Sequence, residues 1–187
     1  MDEEWIKLFY SSLVSFYRDT DYPITFGYNE GMISVCIERP ATGIYSLIPF
    51  PHLLHKATAL MDTIISFHPF ADGNKRVALL ATFYFLYWNG YDLLIPEDAD
   101  KFTIEIAKGK HKLNDILSWL VRHCRRTPAS ILRNIFIGYC ANLYDDFPQS
   151  RSLIEMLLPL FVPLYPFMYF RYVISKKKKT NKLGQQN

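Results

Sequence analysis

His68-Pro69-Phe70-Ala71-Asp72-Gly73-Asn74-Lys75-Arg76 is a polar run set between two strongly apolar stretches. Upstream, Leu53, Leu54, Ala57, Leu60, Met61, Ile64 and Ile65 recur at helical spacing as far as His68. Downstream, Val77 to Trp88 is apolar except for Thr82. A helix apolar on nearly every side belongs in the middle of a core, with other helices around it. The pattern therefore predicts a buried helix over 74–88, stopped by Asn89-Gly90, where glycine can turn left-handed. Around it the spacing predicts an amphipathic helix over 3–18, with Trp5, Leu8, Phe9, Leu13 and Phe16 on its apolar face. A short helix is expected over 30–38. Another starts at Pro96-Glu97-Asp98 and packs through Phe102, Ile104, Ile106 and Ala107. A last one, over about 112–124, carries Ile116, Leu117, Trp119, Leu120 and Val121. The fold class is all-α. A turn and a brief β-prone run at Ala41–Pro49 leave two equal readings, a small β flap or an ordinary loop.

The nine residues pack an imidazole, a carboxylate, a Gly-Asn pair and two cations into roughly 14 Å at helical rise. Magnesium-phosphate chemistry needs those parts: a base, a metal ligand, backbone that can approach oxygens, and positive charge. Each residue also has a plainer reading. Asp72 can cap the helix or hold Mg²⁺. His68 can close the preceding helix, or act as a base, since imidazole is the side chain suited to proton transfer near neutral pH. Phe70 anchors the loop by inserting into the core. Pro69 favours an extended His68 and so ends the helix before it. Lys75 and Arg76 are harder to explain by folding alone, because cations in a first turn oppose the helix dipole. A polyphosphate bound there would offset that cost.

In this order the nine residues resemble the signature of the Fic/Doc (Fido) family, His-x-Phe-x-Asp/Glu-Gly-Asn-Gly/Lys-Arg. Lys75 before Arg76 is similar to the death-on-curing (Doc) toxin branch. So are Gly27 with Glu30-Gly31-Met32-Ile33 and Arg39-Pro40, and Lys56-Ala57-Thr58-Ala59-Leu60. Asn89-Gly90-Tyr91, Ala107 with Gly109, and Trp119-Leu120 extend the likeness, which runs from about residue 26 to about residue 124.

The resemblance implies a Fic/Doc-like helical bundle with a small β flap that aligns a target segment. It implies that His68 is the general base, that Asp72 binds Mg²⁺, and that Gly73, Asn74, Lys75 and Arg76 hold the phosphates of ATP, the co-substrate. Family members transfer either AMP or a phosphoryl group to a protein side chain. AMP-transferring members usually carry a second arginine three residues after the first, where this chain has Leu79, and a glycine where it has Lys75. Both departures favour the phosphoryl-transferring branch, with AMP transfer as the alternative. A self-blocking Ser/Thr-x-x-x-Glu-Gly helix is not found at strict spacing, since Phe26 stands four residues before Glu30-Gly31. Inhibition is then expected in trans, by an antitoxin-like partner, as for the toxin of a toxin–antitoxin pair. The substrate implied is a protein, with the translation machinery as a candidate source. A different class of reading is a non-catalytic interaction protein in which the tail or flap does the work.

Length and composition bound the rest. The chain has 187 residues, half of them hydrophobic, enough for one domain with a core and an appendage. The expected division is a helix packed on the core (1–25), a Fic/Doc domain (26–126) and an extension of unknown role (127–187). Cys36, Cys124 and Cys140 are widely spaced and odd in number, which argues for a reducing compartment, the cytoplasm. His52 and His55 are the one close histidine pair, and without further ligands they make a poor zinc site. Residues 171–187 hold six of the 21 cations and no acid, so the remaining body is net acidic and no nucleic-acid partner is expected. The acidic start is not a signal peptide. Met156 to Phe170 is apolar apart from three prolines, too short for the ~20 residues of a bilayer span. The preferred reading is that it packs on the domain or is poorly ordered; contact with a membrane surface beside the lysine run is the second choice.

Overall fold

The computed structural model describes residues 1–42, 50–132 and 135. Six helices lie wholly among them: α1 (Glu3–Tyr17), α2 (Glu30–Glu38), α3 (Leu53–Phe67), α4 (Asn74–Trp88), α5 (Ala99–Ala107) and α6 (Leu113–His123). Two short strands, β1 (Asp92–Leu93) and β2 (Cys124–Arg125), complete the set. Met1–Ile131 form one compact unit, and the fold is all-α with a minor β pair. Most of the segment expected to form a flap, residues 43–49, lies outside the described residues. So do Cys140, the apolar stretch of Met156–Phe170 and the lysine-rich tail.

Helix α4 runs through the middle, as its apolar circumference requires. Val77 through Tyr84 are all buried, and α3, α1, α5 and β1 surround them. Thr82, the one polar residue of that run, is fully buried and its hydroxyl has no hydrogen-bond partner among the described residues. The helix ends as expected, with Gly90 left-handed at φ 78°.

Helix α1 lies against α4 through aromatic rings. Phe9 stacks on Tyr84 with centroids 4.8 Å apart, and Trp5 meets Trp88 edge-on at 4.6 Å. Its buried face is Ile6, Phe9, Tyr10, Leu13 and Tyr17, rotated from the face the sequence suggests. Leu8 is exposed and Phe16 only half-buried. Tyrosines take those places because a buried phenol is tolerated when its hydroxyl finds a partner. That of Tyr10 donates to the Thr25 carbonyl at 2.7 Å and accepts the Gly27 N–H at 3.0 Å.

Helix α2 is tied to α3 by Arg39, whose Nη1 lies 2.8 Å from both Asp62 Oδ2 and Thr63 Oγ1. β1 and β2 pair antiparallel, Asp92 with Arg125 and Leu93 with Cys124, joining the exit of α4 to the exit of α6. On α5, Ala99, Thr103 and Ile106 are buried while Ile104 is exposed, so the packing face is narrower than its apolar content. No helix among the described residues is long and apolar enough to cross a membrane.

Candidate active site at the start of helix α4

The loop between α3 and α4 begins with a strained residue. His68 caps α3 in the left-handed conformation, φ 49° and ψ 57°, the one non-glycine residue with positive φ among those described. This corrects the expectation of an extended residue before Pro69. A side chain held there costs on the order of 1–3 kcal/mol and persists where its surroundings over-determine it.

Those surroundings are visible. Pro69 is buried and its carbonyl accepts the Asn29 N–H at 2.8 Å. The Ala71 N–H donates to the Gly27 carbonyl at 2.8 Å, so residues 27–29 pair with 69–71 around a single Tyr28–Phe70 bridge. Phe70 is 3% exposed and stacks on Tyr10 at 4.3 Å, the core anchor that its sequence position suggests. A Cβ on Gly27 would come within 3.2 Å of the Ala71 Cβ, so glycine allows the two segments to approach. The imidazole of His68 stays exposed on this rigid support.

Asn74 completes the support from the other side. Its amide oxygen accepts the Phe70 N–H at 2.9 Å and its nitrogen donates to the Phe70 carbonyl at 2.7 Å, both buried. The side chain therefore locks the loop, and what Asn74 offers a ligand is its backbone N–H.

Asp72 is not the N-cap of α4. That position is Gly73, at φ 84° and ψ 4°, with no side-chain cap. The Asp72 carboxylate is exposed; Oδ1 accepts the neighbouring Gly73 N–H at 2.6 Å, while Oδ2 takes no hydrogen bond among the described residues. Its charge reaches Tyr10, whose phenol is pushed up first by burial, and then by Asp72, against the opposing pull of the Gly27 N–H.

In the first turn, the Arg76 and Val77 N–H groups both donate to the Gly73 carbonyl at 2.9 Å. Those of Asn74 and Lys75 have no partner among the described residues, and such groups at a helix start favour an anion. The half-buried side chains of Lys75 and Arg76 stand beside them, and no acid pairs with either among the described residues. Arg76 lies over the Tyr17 ring, 4.5 Å from guanidinium carbon to centroid.

No group of three or more His, Cys, Asp or Glu gathers among the described residues. That donor set suits Mg²⁺, which accepts one carboxylate if phosphate oxygens and waters fill the octahedron. His52 and His55 lie with ring centroids 5.4 Å apart, and no third His, Cys, Asp or Glu gathers with them among the described residues.

All six residues singled out in the sequence thus lie in this one loop and first turn. Sequence reasoning missed Tyr10 and Tyr17, seven residues apart on α1, which back the loop and the turn respectively. Their spacing with Ile6 and Leu13 was the available signal.

A family model described as the Fic/DOC family matches residues 1–86. The toxin Doc of Mycolicibacterium smegmatis (strain ATCC 700084 / mc(2)155) is 35% identical over 71 residues, covering 38% of this chain and 55% of that protein. The chain thus spans about half the length of this curated relative. No solved structure matches. The matched residues take in α1, the clamp at Gly27, the whole nine-residue loop and nearly all of α4, and over them the chain is similar to the Fic/DOC family.

Proposed function

We propose that this protein is a Mg²⁺-dependent transferase that moves the γ-phosphoryl group of ATP to a hydroxyl side chain of a target protein. The observation that carries the reading is the start of α4. Its cap is a glycine, its first two N–H groups and its two cations find no partner and no acid, respectively, among the described residues, and an exposed carboxylate precedes them.

In this reading the backbone N–H groups of Asn74 and Lys75 and the side chains of Lys75 and Arg76 bind the phosphates, close to Gly73. Asp72 holds Mg²⁺, which would neutralise charge on the phosphate oxygens. The target hydroxyl oxygen attacks the γ-phosphorus, its bond to the β–γ bridging oxygen breaks, ADP leaves, and His68 takes the hydroxyl proton. A left-handed His68, braced through Pro69 and Phe70, supports that role, since a base must be held in place to be useful.

Position 79 favours phosphoryl over AMP transfer. Leu79 is 2% exposed, part of the core, so this position supplies no second arginine like that of the AMP-transferring members. The relative named as toxin Doc supports a toxin's role with an antitoxin acting in trans, and a target drawn from the translation machinery is the corresponding candidate. The cytoplasm fits the free thiols of Cys36 and Cys124, pushed up to about 12 by burial and so poorly reactive.

A cell lysate supplied with γ-³²P-ATP or α-³²P-ATP tests the reading. Label from the γ position alone is expected; label from the α position alone would replace it with AMP transfer. A melting temperature unmoved by ATP and Mg²⁺ would favour a non-catalytic interaction protein, because a ligand bound only by the folded chain must stabilise it.

A further inference from the structure

Arg76 has no acid to hold it among the described residues, stands in a turn whose dipole opposes it, and yet is half-buried. What holds it is an aromatic face. Tyr17 is the last residue of α1, 2% exposed, and its ring lies under the guanidinium at 4.5 Å. Its backbone is fixed, since the Tyr17 carbonyl accepts the Thr20 N–H at 3.1 Å and hydroxyl at 2.8 Å, and Phe16 packs edge-on against the ring at 5.4 Å. Burial raises the Tyr17 phenol, while the charge of Arg76 and a hydrogen bond from it act in the opposite direction.

A guanidinium lying over one ring face keeps the N–H groups that the phenol does not take for other oxygens, and loses less freedom when it binds them. A salt-bridged arginine would instead have to give up its acid first. We infer that Tyr17 is a positioning residue for the nucleotide, holding the Arg76 fork towards the open end of α4 by stacking instead of by charge. The inference rests on the phosphate-binding role proposed for Arg76. It makes α1 part of the site's working parts, with Tyr10 bracing the loop and Tyr17 the cation one heptad on.

Calorimetric titration of the full chain with Mg²⁺–ATP tests this without knowing the protein target. Tyr17→Leu, which keeps apolar bulk but removes the ring, should weaken binding about 10-fold. Tyr17→Phe, which keeps the ring, should restore it to within about 3-fold of wild type. In an Arg76→Ala background the Leu substitution should change affinity no further, since the two act as one unit. A merely structural tyrosine would give Phe and Leu variants that differ in melting temperature but not in affinity, or equal losses with and without Arg76, and either result overturns the inference. If Tyr17→Leu does not fold, Arg76→Lys decides. Lysine keeps the charge but cannot stack as a plane, so its affinity should fall by a similar factor and be indifferent to Tyr17→Phe; wild-type affinity in Arg76→Lys would overturn the inference. A wild-type chain that binds no Mg²⁺–ATP at all would instead remove the proposed function, and the positioning role with it.

Discussion

Helices α1 and α4 have the same length, fifteen residues, and begin by opposite rules. At α1, Asp2 caps the Trp5 N–H, and Glu3 and Glu4 occupy the first turn, where the dipole favours acids. At α4 the cap is a glycine in the left-handed region, there is no acid in the first turn, and two cations stand there. Helix α2 follows α1, with Asn29 accepting the Met32 N–H and Glu30 in the first turn. Folding alone accounts for the starts of α1 and α2. It leaves α4 short of the stabilisation that α1 and α2 take, in a helix whose body is nearly all core, where packing can sustain an unfavourable end. Helix α3 also starts without a side-chain cap or a first-turn acid, so what sets α4 apart is its left-handed glycine cap with two adjacent cations, a combination that fits the proposed anionic ligand.

The largest test of that contrast lies one residue beyond the end of α3. His68→Ala should reduce label transfer from γ-³²P-ATP by about 10²–10⁴-fold, the range expected for losing a general base. Titration with Mg²⁺–ATP should show affinity nearly intact, because the imidazole is not assigned to the phosphates. Full transfer in this variant would remove His68 from the chemistry. Next in size is Asn74→Ala. It leaves the buried N–H and carbonyl of Phe70 without the partners that Asn74 supplies, a loss of about 2–4 kcal/mol in chemical denaturation. A loss under about 0.5 kcal/mol would mean that the side chain is not the lock it looks to be. Smaller again is Asp2→Ala at the other helix start, expected to cost about 1 kcal/mol of stability while transfer by the folded chain is unchanged. Were Asp2→Ala to impair transfer as His68→Ala does, the division between a structural and a functional start would collapse.

Much of this was legible beforehand, for identifiable reasons. The bounds of α2 and α4 coincide with their sequence patterns because strong breakers flank them: Pro40 soon after α2, Gly73 and Gly90 around α4. The site was legible because its residues are contiguous. What escaped depended on contacts distant in sequence, or on residues whose role is ambivalent. The buried face of α1 was misjudged because Leu8 and Phe16 look like better anchors than Tyr10 and Tyr17, until the phenols are seen to find partners at Gly27 and Arg76. His68 was expected to be extended because proline disfavours a helical predecessor; the pairing of 69–71 with 27–29 holds it otherwise. Asn74 reads as a phosphate ligand in sequence and proves to spend its amide on Phe70. Strands of two residues, like β1 and β2, carry no periodicity to detect.

The smallest expected effect is the most discriminating, because its sign differs between the two interpretations. Lys75→Glu makes the first turn of α4 resemble that of α1. If the cation is there for a ligand, removing it should raise the stability of the ligand-free chain by about 0.3–1 kcal/mol, since an acid now complements the dipole. The same substitution should largely abolish the rise in melting temperature that Mg²⁺–ATP produces in the wild type. If Lys75 instead serves the fold, the variant should be destabilised with or without nucleotide. Denaturation curves of both chains, each with and without Mg²⁺–ATP, separate the outcomes. A gain in stability coupled to a loss of ligand response would show that the start of α4 trades folding energy for anion binding, whereas losses in both would return the cation to structure.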